Sequence, residues 1–448
     1  MPVSGGAGRM KIDELGDWRR SHLSTEIGPE LHGKEVTVMG WVREIRDLGG
    51  IRFIVLQDRK GKVQITVSEA EANEETLRRS TSLHRQDCIG VKAIVKKMEK
   101  APGGAELIPQ GIRILGIAKQ PPALDITGRT PAHIDVRLDS RVLDLRSDRS
   151  QAVFKVRHVV LEDTRNYFSK NGYLEVNTPK VIASATEGGA ALFPIVYFER
   201  EAFLAQSPQL YKEELVIDFE KVYEIGPYYR AEKSHTSLHT TEFTSVDIEE
   251  AFASAEDVMQ VAEELMHHLC KVVNERCRGE LKVLRHRVTV PKLPFKRFTY
   301  KEIIEELKEA GEEVSWGEDI PMVAYRTLGK LHPYFYFITD WPTVLKPFYI
   351  RPRDDNPELS EGFDLMWSRI EMASGGTRVH DKELLIKRLK EQGLHPESFK
   401  YHLQAFDYGM PPHAGWAIGL ERLVMMLTGA RNIREVVLFP RDRFRLTP

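Results

Sequence analysis

Arg230 and Glu232 stand two apart at the end of a run, Val222 to Tyr229, that alternates as a strand does. A strand carried through them would turn both side chains to one face. A cation and an anion on one face suit a ligand with an anionic part and a donor-rich part, such as ATP. A surface hairpin with a cross-strand ion pair fits the same two residues equally well. Three further stretches are dense in groups of this kind. In AFLAQSPQLYKEE, the residues Gln206, Ser207, Gln209 and Lys212 crowd donors beside Leu204 and Leu210, where a single ammonium can hold a carboxylate. In FDLMWSRIEMASGGTRVHD, Glu371 and Ser374 are hard oxygen ligands suited to Mg²⁺, and Arg378 offers a planar fork for a carboxylate. In YGMPPHAGWAIGLERLVMML, Gly415 and Gly419 thin the backbone where a nucleotide would approach, and Arg422 sits on the first turn of the helix that follows. Each glycine pair is weak evidence by itself.

The elements that must carry these groups can be read from the pattern. Val222 to Pro227 and Phe243 to Ile248 alternate and enclose a polar segment, Lys233 to Thr241, which predicts an antiparallel hairpin with a long loop. Residues 151–171 place Phe154, Val156, Val159, Val160, Leu161, Thr164 and Phe168 near helical spacing, and Gly172 ends the helix. The strand-like LEVNTPKVI has Pro179 inside it, which puts it at a sheet edge or an interface. Ser254 with Asp257 three residues later opens another amphipathic helix that reaches Cys277. His267 and His268 in it are adjacent, share no face, and read as ordinary helix positions. Helices are also expected over 299–313, 381–393 and 419–428. Mostly antiparallel strands with helices grouped between them predict an α+β domain rather than a doubly wound one.

Residues 35–117 read differently. Five short apolar or alternating runs are separated by turn signals, with a helical insert near Glu69 to Leu83 after the third. That is the order of an OB barrel, a small fold that binds oligonucleotides, although other small barrels share it. Pro121, Pro122, Pro131 and the Arg-rich RLDSRVLDLRSDRS then predict a hinge over 119–150. The expected division is 1–118 for an N-terminal extension and barrel, 119–150 for the hinge, and 151–448 for the α+β domain.

Composition sets the outer limits. The chain has 448 residues, 42% hydrophobic and 29% charged, the balance of a soluble globular protein of two or three domains. No apolar run approaches a membrane span, and the N-terminus does not read as a signal peptide. Three cysteines without CxxC spacing point to a reducing, cytoplasmic compartment and away from a disulfide framework or zinc site. A net charge of −2, the first 118 residues slightly basic and the rest slightly acidic, excludes a globally basic nucleic-acid binder. Any RNA must be met by local patches.

Taken together, the four stretches resemble the class II aminoacyl-tRNA synthetases, and among them the aspartyl-tRNA synthetases of the archaeal and eukaryotic-cytosolic type. The resemblance runs from about Trp18 to the terminal FPRDRFRLTP. The helix and strand ending at Pro179 resemble motif 1, the dimer element; Tyr229-Arg230-Ala231-Glu232 through Glu249 resembles motif 2; Gly419-Leu420-Glu421-Arg422 resembles motif 3. Motif 1 is loose, whereas QSPQLYK with GGTRVHD is specific. The resemblance implies a homodimer that joins L-aspartate to tRNA-Asp at the expense of ATP. Arg230 would contact the α-phosphate and the aspartate α-carboxylate, and Glu232 the adenine amino group. His239 and Arg422 would hold the β- and γ-phosphates, Arg422 also stacking on the base, and Glu371 and Ser374 would carry Mg²⁺. Lys212 and Arg378 would clamp the substrate's side-chain carboxylate. Glu187, Ser207, Gln209 and Asp247 would bind its amino group or order the pocket.

The OB barrel would take the anticodon, with Phe53 as the stacking aromatic and Gln64 as reader of the central U. Enzymes of this type that are strict for tRNA-Asp tend to carry Trp where this chain has Arg43, and Lys where it has Pro102. These departures lead us to expect that tRNA-Asn is charged with aspartate as well. An asparaginyl-tRNA synthetase is the alternative enzyme, since it shares the architecture; two cations in the pocket and Lys212 favour aspartate. A non-enzymatic RNA-binding relative is opposed by the presence of Arg230, Glu371 and Arg422. A synthetase-like amide-forming enzyme would not need the barrel.

Overall fold

Glu35–Asp47 (β1), Ile51–Gln57 (β2), Lys62–Ser68 (β3), Cys88–Lys97 (β4) and Ala105–Gly116 (β5) close into a barrel in the order β1-β2-β3-β5-β4. Each strand sends alternate side chains inward, and Val38, Ile54, Ile65, Val91 and Leu107 fill the interior. The helical insert after β3 is present but shorter than expected, Glu74–Ser82, because Asn73 caps it by accepting from Thr76 N at 2.8 Å. This is the OB arrangement that the order of runs predicts. The computed structural model describes residues 11–183, 191–232 and 236–448. The chain divides into two compact units, one ending at Leu143 and one beginning at Asp144.

The stretch expected as a hinge is more ordered than its composition indicates. Ile134–Asp139 and Arg141–Asp144 are helical, and Arg141 and Asp144 are buried. The long helix Asp148–Lys170 already begins inside the expected hinge, because Ser147 caps it. Val156, Val159, Val160, Thr164 and Phe168 of the expected stripe are buried, whereas Phe154 and Leu161 are half-buried and Ala152 and Val153 extend the stripe instead; Gly172 follows the helix at a φ of 81°.

The second unit is built on an eight-stranded sheet. Its strands are Leu174–Glu175 (β6), Lys221–Tyr229 (β10), Glu242–Ala251 (β11), Lys296–Thr299 (β12), Phe335–Thr339 (β13), Gly362–Trp367 (β14), Ile370–Thr377 (β15) and His413–Gly419 (β16). Their order is β12-β13-β14-β15-β16-β11-β10-β6. Val181–Ile182 (β7), Pro194–Tyr197 (β8) and Arg200–Leu204 (β9) form a separate three-stranded sheet. Only the outermost pairs, β12 with β13 and β10 with β6, are parallel; the interior of the large sheet is antiparallel throughout. The α+β class is therefore the observed one. The edge position of β6 agrees with the proline that follows it.

Strand periodicity decides where function can sit. On β16, Ala414, Trp416 and Ile418 join one large core with Val246 and Ile248 of β11. The helices Asp148–Lys170, Ala255–Arg276 and Leu420–Thr428 supply the rest of that core, including Val156, Phe168, Leu265, Leu269 and Val424. Trp416 is fully buried and donates Nε1 to the Val258 carbonyl at 2.9 Å. The residues between these positions, Ser245, Asp247 and Glu249 on β11 and Gly415, Ala417 and Gly419 on β16, turn to the opposite face. Polar groups collected there are shielded from water on one side by the core.

Candidate functional site

A cavity of about 460 Å³ opens on that opposite face. Ser245 and Asp247 of β11, Glu371, Ser374 and Gly375 of β15, and Ala417 and Gly419 of β16 line it. The chain after β10 covers it with Arg230, Glu232, His239 and Thr240; Gln206, Ser207 and Gln209 close one side, and Arg378 and Arg422 supply further cations. The hairpin is antiparallel with Tyr229 opposite Glu242, as expected. It ends sooner than expected: Arg230 still donates its N–H to Thr241 O at 2.9 Å, but Glu232 N turns back to Arg230 O at 2.8 Å. Arg230 and Glu232 thus share the cavity through a turn and not through strand alternation.

Glu371 and Ser374 are three apart on one strand, which would put them on opposite faces. The register of β15 against β14 slips between Leu365 and Met366, leaving Glu371 and Ala373 opposite successive residues. This bulge restores the parity, so both line the cavity. Glu371 is 46% exposed, and Arg422 Nη1 donates to its carbonyl at 2.7 Å. Partial loss of hydration inside the cavity, although the side chain stays half-exposed, and the nearby charge of Asp364 push the Glu371 carboxyl above its ordinary value. His239 accepts or donates at Nδ1 with Thr236 Oγ1 at 2.6 Å, and burial together with the Arg422 charge lowers its pKa.

At the other end lies a buried row of four charges. Arg378 grips Glu249 with two bonds, Nε to Oε1 at 2.8 Å and Nη2 to Oε2 at 3.2 Å. Lys212 Nζ lies 3.3 Å from Glu249 Oε2, donates to Asp247 Oδ1 at 3.2 Å, and also donates to the carbonyls of Ile248 and Trp416. Burial raises the Asp247 carboxyl although Lys212 opposes it. Asp247 Oδ2, buried at the cavity wall, accepts nothing from the described residues. An ammonium entering the cavity would satisfy it.

Most of the expected residues therefore converge: Ser207, Gln209, Arg230, Glu232, His239, Asp247, Glu371, Ser374, Arg378 and Arg422 all line one cavity. Lys212 instead stands behind the wall at 2% exposure, fully engaged by the protein. Glu187 lies outside the described residues. Gly415 also departs from its expected role. A Cβ there would fall 2.3 Å from Glu249 Oε2 and 2.2 Å from the Ile248 carbonyl. The glycine makes room for the acid between Lys212 and Arg378, not for a nucleotide.

Two acids escaped sequence reasoning. Glu249 faces the same way as Asp247 two residues earlier, a signal that was present. Glu421 is 2% exposed and ties three elements, accepting from Arg157 Nη2 at 2.9 Å and from Thr244 N at 3.0 Å. Its position beside Arg422 gave no hint of that.

The barrel is a second candidate site. Phe53 and Gln64 are half-buried on the outer face of β2 and β3. Gln64 Nε2 donates to Glu106 Oε2 at 3.3 Å, and Thr66 Oγ1 donates to the same oxygen at 2.6 Å. Pro102 is exposed in the turn Pro102–Gly104, where Gly103 and Gly104 both have positive φ. Arg43 does not reach the surface as expected. The register of β1 slips between Val42 and Glu44, and the bulged Arg43 is buried at 7% exposure, donating to Gln57 Oε1 at 2.7 Å and to the Ile126 carbonyl at 3.4 Å.

Comparison with known proteins fits both units. A family profile for class II tRNA synthetases (D, K and N) matches residues 133–443, and one for the OB-fold nucleic-acid-binding domain matches residues 36–115. The aspartate–tRNA(Asp/Asn) ligase of Methanothermobacter thermautotrophicus is 49% identical over 97% of this chain and 100% of its own. The ligase of the same name from Methanopyrus kandleri is 50% identical over 95% of this chain and 99% of its own. The crystal structure of asparaginyl-tRNA synthetase from Pyrococcus horikoshii complexed with asparaginyl-adenylate superposes with a TM-score of 0.92 at 32% identity, over 96% of this chain and 100% of that one. By the match of its catalytic unit, its barrel and nearly its whole length to these relatives, the chain belongs to the class II tRNA synthetases of the D, K and N group.

Proposed function

We propose that the chain is an aspartate–tRNA ligase that charges both tRNA-Asp and tRNA-Asn. The observation that carries this reading is a single cavity with triphosphate-binding chemistry at one end, Arg230, Arg422 and Glu371, and a buried Asp247–Lys212–Glu249–Arg378 row at the other. The names of the archaeal relatives supply the tRNA pair. The row selects a small zwitterion with a side-chain carboxylate. Asp247 Oδ2 receives the α-ammonium, and Arg378, already oriented by the two bonds it donates to Glu249, faces the side-chain carboxylate. Because Glu249 offsets both cations, Lys212 acts on the substrate through Asp247 and Glu249 rather than by direct contact.

Arg230 neutralises charge on the α-phosphate and the attacking α-carboxylate. A carboxylate oxygen forms a bond to the α-phosphorus as the bond to pyrophosphate breaks, and the ribose 3′-OH of tRNA then displaces AMP from the acyl carbon. Both steps need orientation and cations where charge builds, not a protein nucleophile. Glu371 and Ser374 would hold Mg²⁺ for the triphosphate. The donor set fits: one carboxylate and one hydroxyl on the cavity wall suit an ion held mainly by phosphates and water. When bound, Mg²⁺ neutralises the departing pyrophosphate.

The barrel would bind the anticodon through Phe53 and Gln64, with the chain around 119–133 joining it to the catalytic unit. Pro102 remains a candidate contact by its exposure, whereas Arg43 and its partner Gln57 are both buried, at 7% and 6% exposure. A homodimer belongs to the same proposal. Leu174 and Val181, on either side of the motif 1 proline, are exposed apolar residues on the edge strands of the large and the small sheet respectively. A cytoplasmic location is consistent with three free cysteines, and no helix among the described residues is long and apolar enough to cross a membrane.

Amino-acid-dependent pyrophosphate exchange, followed by charging of both tRNA transcripts, tests the proposal. Exchange with asparagine instead of aspartate would overturn the substrate. A preference for tRNA-Asp above about a hundredfold, ~2.8 kcal/mol of discrimination, would overturn the dual specificity.

A further inference from the structure

Glu213 is completely buried one helical turn after Gln209, on the helix Gln209–Phe219. Gln209 Nε2 donates to Glu213 Oε1 at 2.6 Å. From two distant segments, His402 Nε2 and His413 Nε2 each approach Glu213 Oε2 to 3.6 Å. His402 Nδ1 meets Glu214 Oε1 at 3.1 Å, and His413 Nδ1 lies 2.8 Å from the Pro411 carbonyl. Both histidines are buried, at 3% and 0% exposure. None of these four groups was used in the mechanism, yet Gln209 itself lines the cavity.

The chemistry of the pair fixes a direction. The two ends of a glutamine amide are nearly the same size, so packing alone hardly distinguishes them. An ionised carboxylate does, because it accepts and cannot donate. Burial alone would push the Glu213 carboxyl up, but His402 and His413 outweigh it and hold the group far below the usual range. Burial likewise opposes the charge on His402, but Glu213 and Glu214 raise its pKa to about 9. Gln209 must therefore turn its NH₂ inward. Its Oε1, which receives no hydrogen bond from any described residue, is left for the cavity.

We propose that Glu213 is a positioning residue: it orients the Gln209 amide so that its carbonyl accepts from the substrate's α-ammonium, and His402 and His413 hold Glu213 for that purpose. The inference rests on the amino-acid-activating reading above and names the layer that makes its ammonium site directional. Asp247 supplies charge at that site, and Gln209 supplies a neutral acceptor with one allowed orientation.

Glu213→Gln keeps the shape but lets the paired amides flip together. Aspartate KM in pyrophosphate exchange should rise roughly tenfold or more, the size expected for a lost hydrogen bond to a charged group, with ATP KM unchanged. Succinate, which is aspartate without the ammonium, provides the discriminating readout: its inhibition constant should not move. In a Gln209→Ala background, Glu213→Gln should add nothing further. Equal loss of affinity for aspartate and succinate, or full additivity with Gln209→Ala, would overturn the proposal. If Glu213→Gln does not yield folded protein, His402→Gln is measured by the same two constants and judged by the same outcomes. Absence of aspartate-dependent exchange in the wild type would overturn the functional reading, and with it this one. An active wild type with an unmoved variant overturns the orientation alone.

Discussion

Replacing Lys212 by methionine distinguishes a substrate clamp from a structural counter-ion. The ammonium has three protons and four oxygen neighbours, Asp247 Oδ1, Glu249 Oε2 and the carbonyls of Ile248 and Trp416, all within 3.3 Å. Glu249 keeps its two bonds from Arg378 in the variant, so Asp247 is the charge left uncompensated. Removing one partner of a buried pair costs ~3–5 kcal/mol. In a unit of this size that lowers the melting temperature by roughly 6–20 °C, taking about 2–4 °C per kcal/mol. Asp247 also sets the sign of the pH effect. Its carboxyl is already raised by burial, so the folded state binds the proton more readily than the unfolded one. Losing Lys212 raises it further, and the deficit of the variant should shrink as pH falls and Asp247 protonates. Thermal unfolding at several pH values, with aspartate KM alongside, is the assay. An unchanged melting temperature with a raised aspartate KM would show that Lys212 leaves its buried seat to bind substrate, and would refute this account.

Other perturbations have equally definite outcomes. Arg230→Ala should abolish adenylate formation, by ~2.7–4 kcal/mol of transition-state stabilisation if it acts like other preorganised donors, while the melting temperature stays put; surviving exchange would refute its role. Gly415→Ala would set a methyl group against Glu249 and the Ile248 carbonyl, so we expect a loss of ~1–3 kcal/mol or more in thermal unfolding together with a raised aspartate KM. His402, whose pKa is raised to about 9, contributes stability that is complete below its ordinary titration range and is lost as pH climbs through 9. The wild type should therefore lose stability in that alkaline window, and His402→Gln should be flatter there. A parallel pair of curves would exclude His402 as the cause.

What the sequence disclosed was local. Motifs such as QSPQLYK and SGGTRVHD carry their chemistry within a few residues, the Ser254–Asp257 capping box spans one turn, and hairpin and helix periodicities repeat over short windows. What stayed hidden depends on contacts between distant positions. Lys212 reads as a lone cation until β11 brings Asp247 and Glu249 against it. The Glu213 cluster draws on His402 and His413, far along the chain, and no periodicity announces such a meeting. Bulges hide their effects as well. One sets Arg43 against Gln57 and the Ile126 carbonyl, and another brings Glu371 and Ser374 to one side of β15; neither has a marker residue in the sequence. The Arg-rich run after Pro131 misled for a related reason, since Arg141 and Asp144 are buried in the fold while their composition is that of a linker.

The pairing of Gln64 with Glu106 in the barrel has a consequence for how salt would act on that surface. Glu106 is nearly buried at 3% exposure, and only the amide it holds stands toward solvent. Such a pair shows the surroundings an amide dipole of fixed direction, with the charge of Glu106 set back behind it. Mobile ions screen monopoles over about 10 Å at 0.1 M but hardly affect a dipole in direct contact. Recognition through Gln64 would then contribute a part of affinity that persists as ionic strength rises, while contributions from phosphate-bound lysines and arginines fade.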